Sequence, residues 1–372
     1  MKVDPDTRIP VAGVDISPDD VQAVTAVLRS GKLRQGVVTA EFEEAFAARA
    51  GASHAIAVSS GTAALHLAYH ALFRPGDEVI VPSFTFVATA SMLLAVGAVP
   101  VFADVDPRTF TLSPADVERR ITPRTRGIAG VHLFGNACDI DGLAAIASRC
   151  RLTMVWDGAQ SLGTGYRERE VGSYPAATCY SFYPTKNITT GEGGMVVTGD
   201  ESVASAIRLS RSQGAAAKYV HTGLGFNYRM TDMAAALGLC QLQRLDTYLE
   251  RRRENAAVLS AGLAGVPGIL IPAVTPHAAH TYNQYSVLVG WDGSPVSRDD
   301  LARALAARGI QTAVHYPRPL HRQPMFDSGM PGPGVSERLA EHILALPVHP
   351  GISAAQAESV AAAIAEIMAG GA

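Results

Sequence analysis

Three segments of the 372-residue chain bring together residue types that could do chemistry at the ends of buried strands. In the first, AVSSGTAAL at 57–65, an apolar run ends in Ser59, Ser60, Gly61 and Thr62, and a strong helix former follows. Bare amides at a helix N-terminus attract anions, a glycine allows close approach, and hydroxyls add donors. The segment therefore predicts either a plain helix cap or an anion site. It lacks the G-x-x-x-x-G-K-[ST] pattern of a nucleoside triphosphate loop.

The second segment, MVWDGAQSLG at 154–163, carries Asp157 to the end of another apolar run. A carboxylate at that position loses solvation unless a cation or several hydrogen-bond donors lie beside it. Asp157 could cap the next segment, or it could be the counter-ion of a cationic ligand, with Gln160 one turn further on. The segment alone leaves both interpretations open.

The third segment, CYSFYPTKNITTGEGGMVVT at 179–198, places Lys186 in a turn-rich stretch between two apolar runs. Lysine is rare here, since only four of the 31 basic residues are lysines and the other 27 are arginines. Most lysines are solvated surface groups, but this one follows an apolar run. Desolvation lowers the pKa of a lysine amine from about 10.4 toward about 7–8, which makes it a usable nucleophile and proton shuttle.

An anion site, a buried acid and an activated lysine are the three groups that pyridoxal 5'-phosphate needs. Its phosphate binds amides and hydroxyls, its pyridine nitrogen needs an acidic partner, and its aldehyde needs a lysine for a Schiff base. The sequence therefore predicts this cofactor, with Lys186 and Asp157 as the catalytic pair.

The elements that must position these residues follow from short apolar runs that alternate with helical stretches. Apolar residues make up 48% of the chain and charged residues 17%, which excludes wholesale disorder and fibrous repeats. Continuous apolar runs are typical of strands buried on both faces. They predict an α/β fold with a mostly parallel seven-stranded sheet and helices on both faces. The predicted strands are 55–58, 78–82, 99–105, 127–134, 153–157, 178–182 and 194–198, with helical connectors at 61–72, 86–96, 114–121 and 141–150.

Both ends of the chain add further elements. Ser17 and Pro18 mark the start of a helix over 17–31, and helices are also expected at 201–213 and 231–262. A proline-rich shift at 266–277 suggests a boundary between a large domain, 1–265, and a smaller C-terminal α+β domain, 266–372. In the smaller domain we expect strands at 282–289 and near 310–316, and helices at 298–308 and 353–369.

Charge and cysteine usage narrow the class of protein. A net charge of −3 without a basic block argues against a nucleic-acid partner. Four widely spaced cysteines without zinc spacing argue against disulfides and a metal site, and favour a reducing compartment. The stretch 79–103 has no charged residue and is long enough to span a membrane, but Pro82, Gly97 and Pro100 interrupt it. We expect a soluble, cytoplasmic protein.

The chain resembles the DegT-type family of sugar aminotransferases, within the fold type I pyridoxal-phosphate enzymes. The resemblance runs from about Ile9 to the C-terminal helix, effectively the whole chain. It is carried by ordered blocks: SSGTAALHLA, PSFTFVATA, VFADVDPRTFTL, WDGAQSLG, SFYPTKNITTGEGGMVVT, GFNYRMTDMAAALGL and VHYPRPLH.

The resemblance implies a role for each residue of the site. Lys186 would form the Schiff base and move the proton, Asp157 would pair with the pyridine nitrogen, and Gln160 would contact the phenolic side of the ring. Asn227 would cross a homodimer interface to the neighbour's phosphate, so that the active site exists only in the dimer. The other implied cofactor contacts are Ser60, Gly61, Thr62 and Ser181 around the phosphate and Phe86 on the ring face. Substrate contacts are expected from Arg229, His315, Tyr316 and His321, although each could instead be structural.

The implied activity is transfer of an amino group, with glutamate as the expected donor, to a 4-keto or 3-keto hexose linked to a nucleotide. A dehydratase branch of the family has histidine in place of the Schiff-base lysine, whereas this chain keeps Lys186. Two alternatives stay open: amination of a cyclitol or aromatic precursor, and a non-catalytic regulatory protein that binds the cofactor. The complete set of Lys186, Asp157 and Gln160 argues against the regulatory alternative.

Overall fold

The structure, a computed structural model, describes residues 8–326 and 332–370. Its strands are β1 (His54–Val58), β2 (Glu78–Pro82), β3 (Val99–Ala103), β4 (Thr125–Val131), β5 (Thr153–Asp157), β6 (Gly165–Tyr166), β7 (Arg169–Glu170), β8 (Ala177–Ser181), β9 (Gly194–Thr198), β10 (Ala215–Ala217), β11 (Val220–His221), β12 (Ile269–Leu270), β13 (Ala278–Ala279), β14 (Tyr285–Val289) and β15 (Ile343–Leu346).

The helices within the described residues surround these strands. They are α1 (Pro18–Ser30), α2 (Val37–Ala50), α3 (Gly61–Leu72), α4 (Ala88–Ala95), α5 (Pro114–Arg120), α6 (Ile140–Cys150), α7 (Glu201–Arg211), α8 (Asp232–Gln243), α9 (Leu245–Leu263), α10 (Arg298–Ala307), α11 (Gly334–His342) and α12 (Ala354–Gly370). None of the helices in the described ranges combines the length and apolarity that a membrane span needs.

The main sheet has seven strands in the order β1-β9-β8-β5-β4-β2-β3. The pairs from β8 to β3 are parallel, and β9 runs antiparallel to both of its neighbours. β1 therefore points the same way as the parallel strands, and the sheet is mostly parallel, as predicted. Because parallel strands end at the same edge, the segments that follow β1, β2, β5 and β8 meet there.

A smaller sheet, β12-β14-β15, lies in the C-terminal part of the chain. Its apolar core includes Leu301 and Ile364 from the C-terminal helices, but also Leu259 and Leu263 of α9 and Ile9. The core of the C-terminal part therefore draws on both ends of the chain. The domain boundary at residues 265 and 266 stays a prediction.

The start of the N-terminal helix agrees with its sequence signals. The Ser17 side chain accepts a hydrogen bond from the Asp20 amide, the Asp20 side chain accepts one from the Ser17 amide, and Gly31 ends the helix in the left-handed conformation. This reciprocal bonding at the first turn is the capping box.

Several element predictions were wrong. The predicted helix 231–262 is two helices, because the chain turns at Arg244, whose guanidinium binds Asp20 and Tyr248.

The predicted strand near 310–316 is instead irregular chain, with single bridges at Ile310 and Ala313. β14 pairs with both β12 and β15. β15 was not predicted, because its four apolar residues continue directly from α11. The helices α2 and α11 were also not predicted.

Candidate active site

A cavity of about 510 Å³ lies at the edge of the main sheet where the parallel strands end. The loop after β1, the loop after β2, the end of β5 and the loop between β8 and β9 contribute to its wall, together with residues of the C-terminal part. The predicted site residues that line it are Ser60, Gly61, Thr62, Phe86, Asp157, Gln160, Ser181, Lys186, His315 and Tyr316. The structure thus brings the three segments of the sequence into one site.

Asp157, the last residue of β5, is 5% exposed and held by two donors. The Thr89 hydroxyl donates to Oδ2 at 2.7 Å, and the Ala159 amide donates to Oδ1 at 3.0 Å. Burial raises the pKa of this carboxyl, although both hydrogen bonds and the ammonium group of Lys186 act in the opposite direction. The acid is fixed in orientation and would gain from a cationic partner in the cavity.

Thr89, whose hydroxyl binds Asp157, is a candidate site residue that the sequence analysis did not single out. It lies on α4, is completely buried, and its backbone carbonyl accepts a 3.0 Å hydrogen bond from the Tyr69 hydroxyl of α3. A signal was present, since Thr89 belongs to the block PSFTFVATA that carries the family resemblance. Nothing in that block showed that its hydroxyl would reach an acid on another strand.

Lys186 is only partly exposed, and its side chain faces the cavity. Burial lowers the pKa of its amine to about 8, while the Asp157 carboxylate acts to raise it. An amine with that pKa is substantially neutral at mildly alkaline pH, where it can attack an aldehyde or accept a proton.

The loop that carries Lys186 is held from three sides. The Lys186 amide donates to the Tyr183 carbonyl at 2.9 Å. The Asn187 side chain donates to the Leu162 carbonyl at 2.9 Å and accepts a 3.0 Å hydrogen bond from Asn283. These bonds attach the loop both to the large sheet and to the C-terminal part, so that the amine is held in a defined place.

The predicted anion site lies at the start of α3. The Ser60 hydroxyl caps the helix by accepting from the Ala63 amide at 3.1 Å. A Cβ at Gly61 would lie 2.7 Å from Cβ of Ser181, and a Cβ at Gly194 would lie 2.4 Å from the Ser60 carbonyl oxygen. Both positions therefore require glycine, and the two glycines let the helix start, Ser60 and Ser181 converge on one small space.

Two aromatic rings and one amide form the remaining wall. Gln160 accepts a 2.6 Å hydrogen bond from the Phe134 amide and donates to the Tyr316 hydroxyl at 3.3 Å. Phe86 is 55% exposed, and its ring centroid lies 6.2 Å from that of Tyr316. Burial raises the pKa of Tyr316, and burial together with Lys186 lowers the pKa of His315, so that both groups are neutral near pH 7.

Three predicted residues do not line this cavity. Asn227 is exposed and pairs with Ser212 in a single bridge. Arg229 lines a neighbouring cavity that also contains Glu192. His321 is buried, and its ring bonds to Ser83 at 2.5 Å and to Glu337 at 3.0 Å. Roles for these three in substrate or cofactor binding stay predictions.

Other lining residues were not predicted individually. They are Leu65, Thr85, Ala88, Val131, Leu133, Ala159, Tyr183, Thr185, Glu192 and Gln284. Glu192 and Thr185 lie in the same sequence block as Lys186, SFYPTKNITTGEGGMVVT, whereas Gln284 directly precedes β14 and had no sequence signal.

A mostly parallel seven-stranded sheet whose carboxyl edge presents a lysine and a buried aspartate to one cavity defines the fold type I pyridoxal-phosphate transferases. Residues 14–365 match the model of the DegT/DnrJ/EryC1/StrS aminotransferase family, and the chain belongs to that family. The predicted family and fold class are thereby confirmed, and the protein is an aminotransferase.

Similar proteins match over nearly the whole length. The dTDP-3-amino-3,4,6-trideoxy-alpha-D-glucose transaminase of Streptomyces venezuelae is 40% identical over 92% of this chain and 90% of its own. The GDP-perosamine synthase of Caulobacter vibrioides is 40% identical over 88% of this chain and 89% of its own. The crystal structure of S. venezuelae DesV in complex with a ketimine intermediate has a TM-score of 0.93 and 38% identity, covering 97% of this chain and 98% of that one.

Proposed function

We propose that this aminotransferase uses pyridoxal 5'-phosphate to move an amino group from an amino acid, with glutamate as the expected donor, to a keto hexose linked to a nucleotide. The observation that carries the proposal is the shared cavity: Lys186 and Asp157 face the same space, and the start of α3 opens into it. The two similar proteins above support it, since their names specify sugars carried by dTDP and GDP.

The residues present fit the cofactor. Gly61, Thr62 and Ser181 surround the start of α3, where a phosphate would be held by amides and hydroxyls. Phe86 presents an exposed ring to the same cavity, suited to packing on the pyridine face. When bound, the cofactor supplies an electron sink that allows the proton on the donor's α-carbon to leave.

Asp157 would hold the proton on the pyridine nitrogen. Its carboxylate is oriented by Thr89 and Ala159, and burial raises its pKa, so a positive charge beside it would stabilise the ionised form. A protonated ring nitrogen would supply that charge in a charge-assisted hydrogen bond. Gln160, fixed by the Phe134 amide, would contact the phenolic side of the ring.

Lys186 would carry the proton between the donor carbon and the cofactor carbon. Its amine has a pKa of about 8, so it can accept a proton and return it without a large energetic penalty. Tyr316 and Phe86 line the same cavity, with their ring centroids 6.2 Å apart.

A homodimer belongs to the proposal, with Asn227 reaching the partner's phosphate site. Asn227 is exposed and follows a protruding hairpin, β10–β11. Tyr219 on this hairpin is 85% exposed, and Leu224 after it is 70% exposed. Exposed large apolar side chains grouped in one segment are typical of a surface that another chain covers.

A screen of keto sugar nucleotides tests the proposal. The amine form of the bound cofactor should return to the imine spectrum with a nucleotide-linked 4-keto or 3-keto hexose, and the block TTGEGGMVV favours the 4-keto compounds by resemblance. If only a cyclitol or aromatic ketone returns the amine form to the imine form, that compound is the substrate and the nucleotide-linked sugar is not. A protein that binds the cofactor but converts no amino donor would contradict the proposal.

A further inference from the structure

Arg252 on α9 is a buried guanidinium without an acidic partner among the described residues. It is 4% exposed, and its Nη1 donates to the carbonyls of Tyr282 and Asn283, both at 3.2 Å. Its Nε is buried with no hydrogen-bond partner, and burial lowers the pKa of the group to about 10. By contrast Arg211, also buried, has its Nη1 2.5 Å from Glu43.

The unpaired guanidinium lines a cavity of about 560 Å³ that also includes Lys186. Arg251 and Lys186 add further positive charge to the wall, and Asp15 is the acid in it. The Asp15 carboxylate accepts a 2.7 Å hydrogen bond from the Tyr248 hydroxyl, and Arg251 pairs with Glu254 at 3.0 Å. The lining residues themselves thus include three basic groups and one acid.

A smaller cavity, also lined by Arg252, shares residues with the active-site cavity. It holds about 60 Å³ and is lined by Arg252 together with Thr185, Gln284 and His315. The last three residues also line the cavity that contains Asp157. Both cavities that Arg252 lines therefore share residues with the active-site cavity, and the residue shared by the larger one is Lys186.

Among the described residues of one chain, those that line the active-site cavity include no cation that is free to bind the carboxylate of an amino acid. Its charged lining residues are Asp157, Lys186 and Glu192, and His315 is neutral near pH 7. Lys186 is committed to the cofactor in the proposed function. Every amino donor brings a carboxylate, and a carboxylate leaving water needs a charged partner or several donors.

We propose that Arg252 binds a carboxylate of the amino donor in the cavity that it shares with Lys186. The inference rests on the proposed function, and it assigns this chain's own donor-binding group. A guanidinium binds carboxylates with two parallel hydrogen bonds, and Nε is one of the donors left over here. The α-carboxylate and the side-chain carboxylate of glutamate have the same chemistry.

The donor half-reaction of Arg252→Gln tests the inference. We expect the half-saturating glutamate concentration to rise at least tenfold, while the keto-sugar half-reaction of the amine-form enzyme keeps its rate. Arg253→Gln is the matched control, because it removes the neighbouring charge and a 3.2 Å hydrogen bond to the His280 carbonyl but lies outside the cavity. Equal donor saturation in Arg252→Gln, Arg253→Gln and the unchanged enzyme would overturn the inference.

Glutamine as donor separates the two carboxylates. A matching loss with glutamine in Arg252→Gln indicates that Arg252 binds the α-carboxylate, and a loss with glutamate alone indicates the side-chain carboxylate. Both results support the inference. Arg252→Lys, which keeps the charge, should recover part of the affinity for whichever donor is affected.

A crystal structure of the unchanged enzyme with glutarate keeps the test independent of variant folding. Glutarate has two carboxylates and no amine, so it binds without reacting. We expect one of its carboxylates at Nε of Arg252, and binding with both carboxylates away from Arg252 would overturn the inference. If no amino acid converts the cofactor, the proposed function fails, whereas the glutarate structure still decides the role of Arg252.

Discussion

At the scale of single residues, the site depends on how much positive charge surrounds Asp157. Thr89, Ala159 and Lys186 each act to lower the pKa of the acid, and burial acts more strongly in the opposite direction. A cationic ligand in the cavity would act in the same direction as these three groups and favour the ionised carboxylate. The neighbours of Asp157 are therefore as informative as the acid itself.

Thr89→Val should weaken catalysis without unfolding the protein. Valine keeps the shape of threonine but removes the 2.7 Å hydrogen bond to Oδ2, which raises the pKa of Asp157 further. A hydrogen bond to a charged group contributes roughly 1.5–3 kcal/mol, so kcat should fall about tenfold or more. Steady-state kinetics with the best sugar from the screen measure this.

Thr178→Val is the matched control for that prediction. Thr178 is also completely buried, on β8, but its hydroxyl has no hydrogen-bond partner among the described residues. Valine there should leave kcat unchanged and the thermal stability equal or slightly higher. Similar losses in both variants would show that the bond from Thr89 to Asp157 has no special role.

The pH dependence of cofactor uptake tests the state of Lys186. Only the neutral amine attacks the aldehyde, so uptake by the cofactor-free protein should speed up with rising pH and level off above about pH 8. Asp157→Asn removes a carboxylate that raises the pKa of the amine, so it should move the midpoint to lower pH. A midpoint near 10.5, the ordinary lysine value, would contradict the proposed desolvation.

At the scale of elements, the start of α3 carries the phosphate site. Gly61→Ala places a Cβ 2.7 Å from Cβ of Ser181, so the helix start or the strand end must move. We expect the dissociation constant of the cofactor to rise about tenfold or more, equivalent to about 1.4 kcal/mol. Titration of the cofactor-free protein, followed by absorbance, measures it.

Gly199→Ala controls for the loss of a glycine. A Cβ there meets nothing within 4 Å, and Gly199 lies between β9 and α7, away from the cavity. Its cofactor affinity should equal that of the unchanged protein. An unchanged cofactor affinity in Gly61→Ala would contradict the placement of the phosphate at the start of α3.

Much of the fold and the site could be predicted because buried strands are continuous apolar runs, and charged residues at their ends stand out in the sequence. Lys186 and Asp157 stand out since charged groups are costly at the ends of apolar strands. Both ends of α1 could also be predicted, because the capping residues Ser17 and Gly31 lie directly beside the helix in the sequence. Each of these features needs only a few neighbouring residues.

The features that could not be predicted depend on contacts between distant residues. Arg244 separates α8 from α9 through bonds to Asp20, more than 200 positions earlier. Thr89 on α4 and Gln284 directly before β14 reach the site through packing of distant segments, which local sequence patterns do not reveal. The ring of His321 bonds to Ser83 and Glu337, contacts that the sequence does not reveal, and its expected contact with the substrate stays a prediction.

At the scale of the whole molecule, the proposed homodimer predicts complementation between inactive variants. Lys186→Ala and Asn227→Ala should each be weakly active alone. If Asn227 acts across a twofold interface, each mixed dimer contains one intact site, and a random mixture should regain about one quarter of the activity. Activity of refolded mixtures, compared with each variant alone, measures this.

Size-exclusion chromatography with light scattering accompanies that experiment. It should show dimers for both variants and for the mixture. If dimers form but no activity returns, Asn227 acts in the site of its own subunit. If the protein is a fully active monomer, the site is not shared between subunits.

The central claim is that the amine of Lys186 bonds covalently to the cofactor aldehyde. Borohydride reduction of the cofactor-loaded enzyme, followed by mass mapping of its peptides, tests this directly, because the chain has only four lysines: Lys2, Lys32, Lys186 and Lys218. We predict one pyridoxyl group per chain, on Lys186, and none in Lys186→Ala. A label on another lysine, or no label on a protein that turns over substrate, would contradict the account.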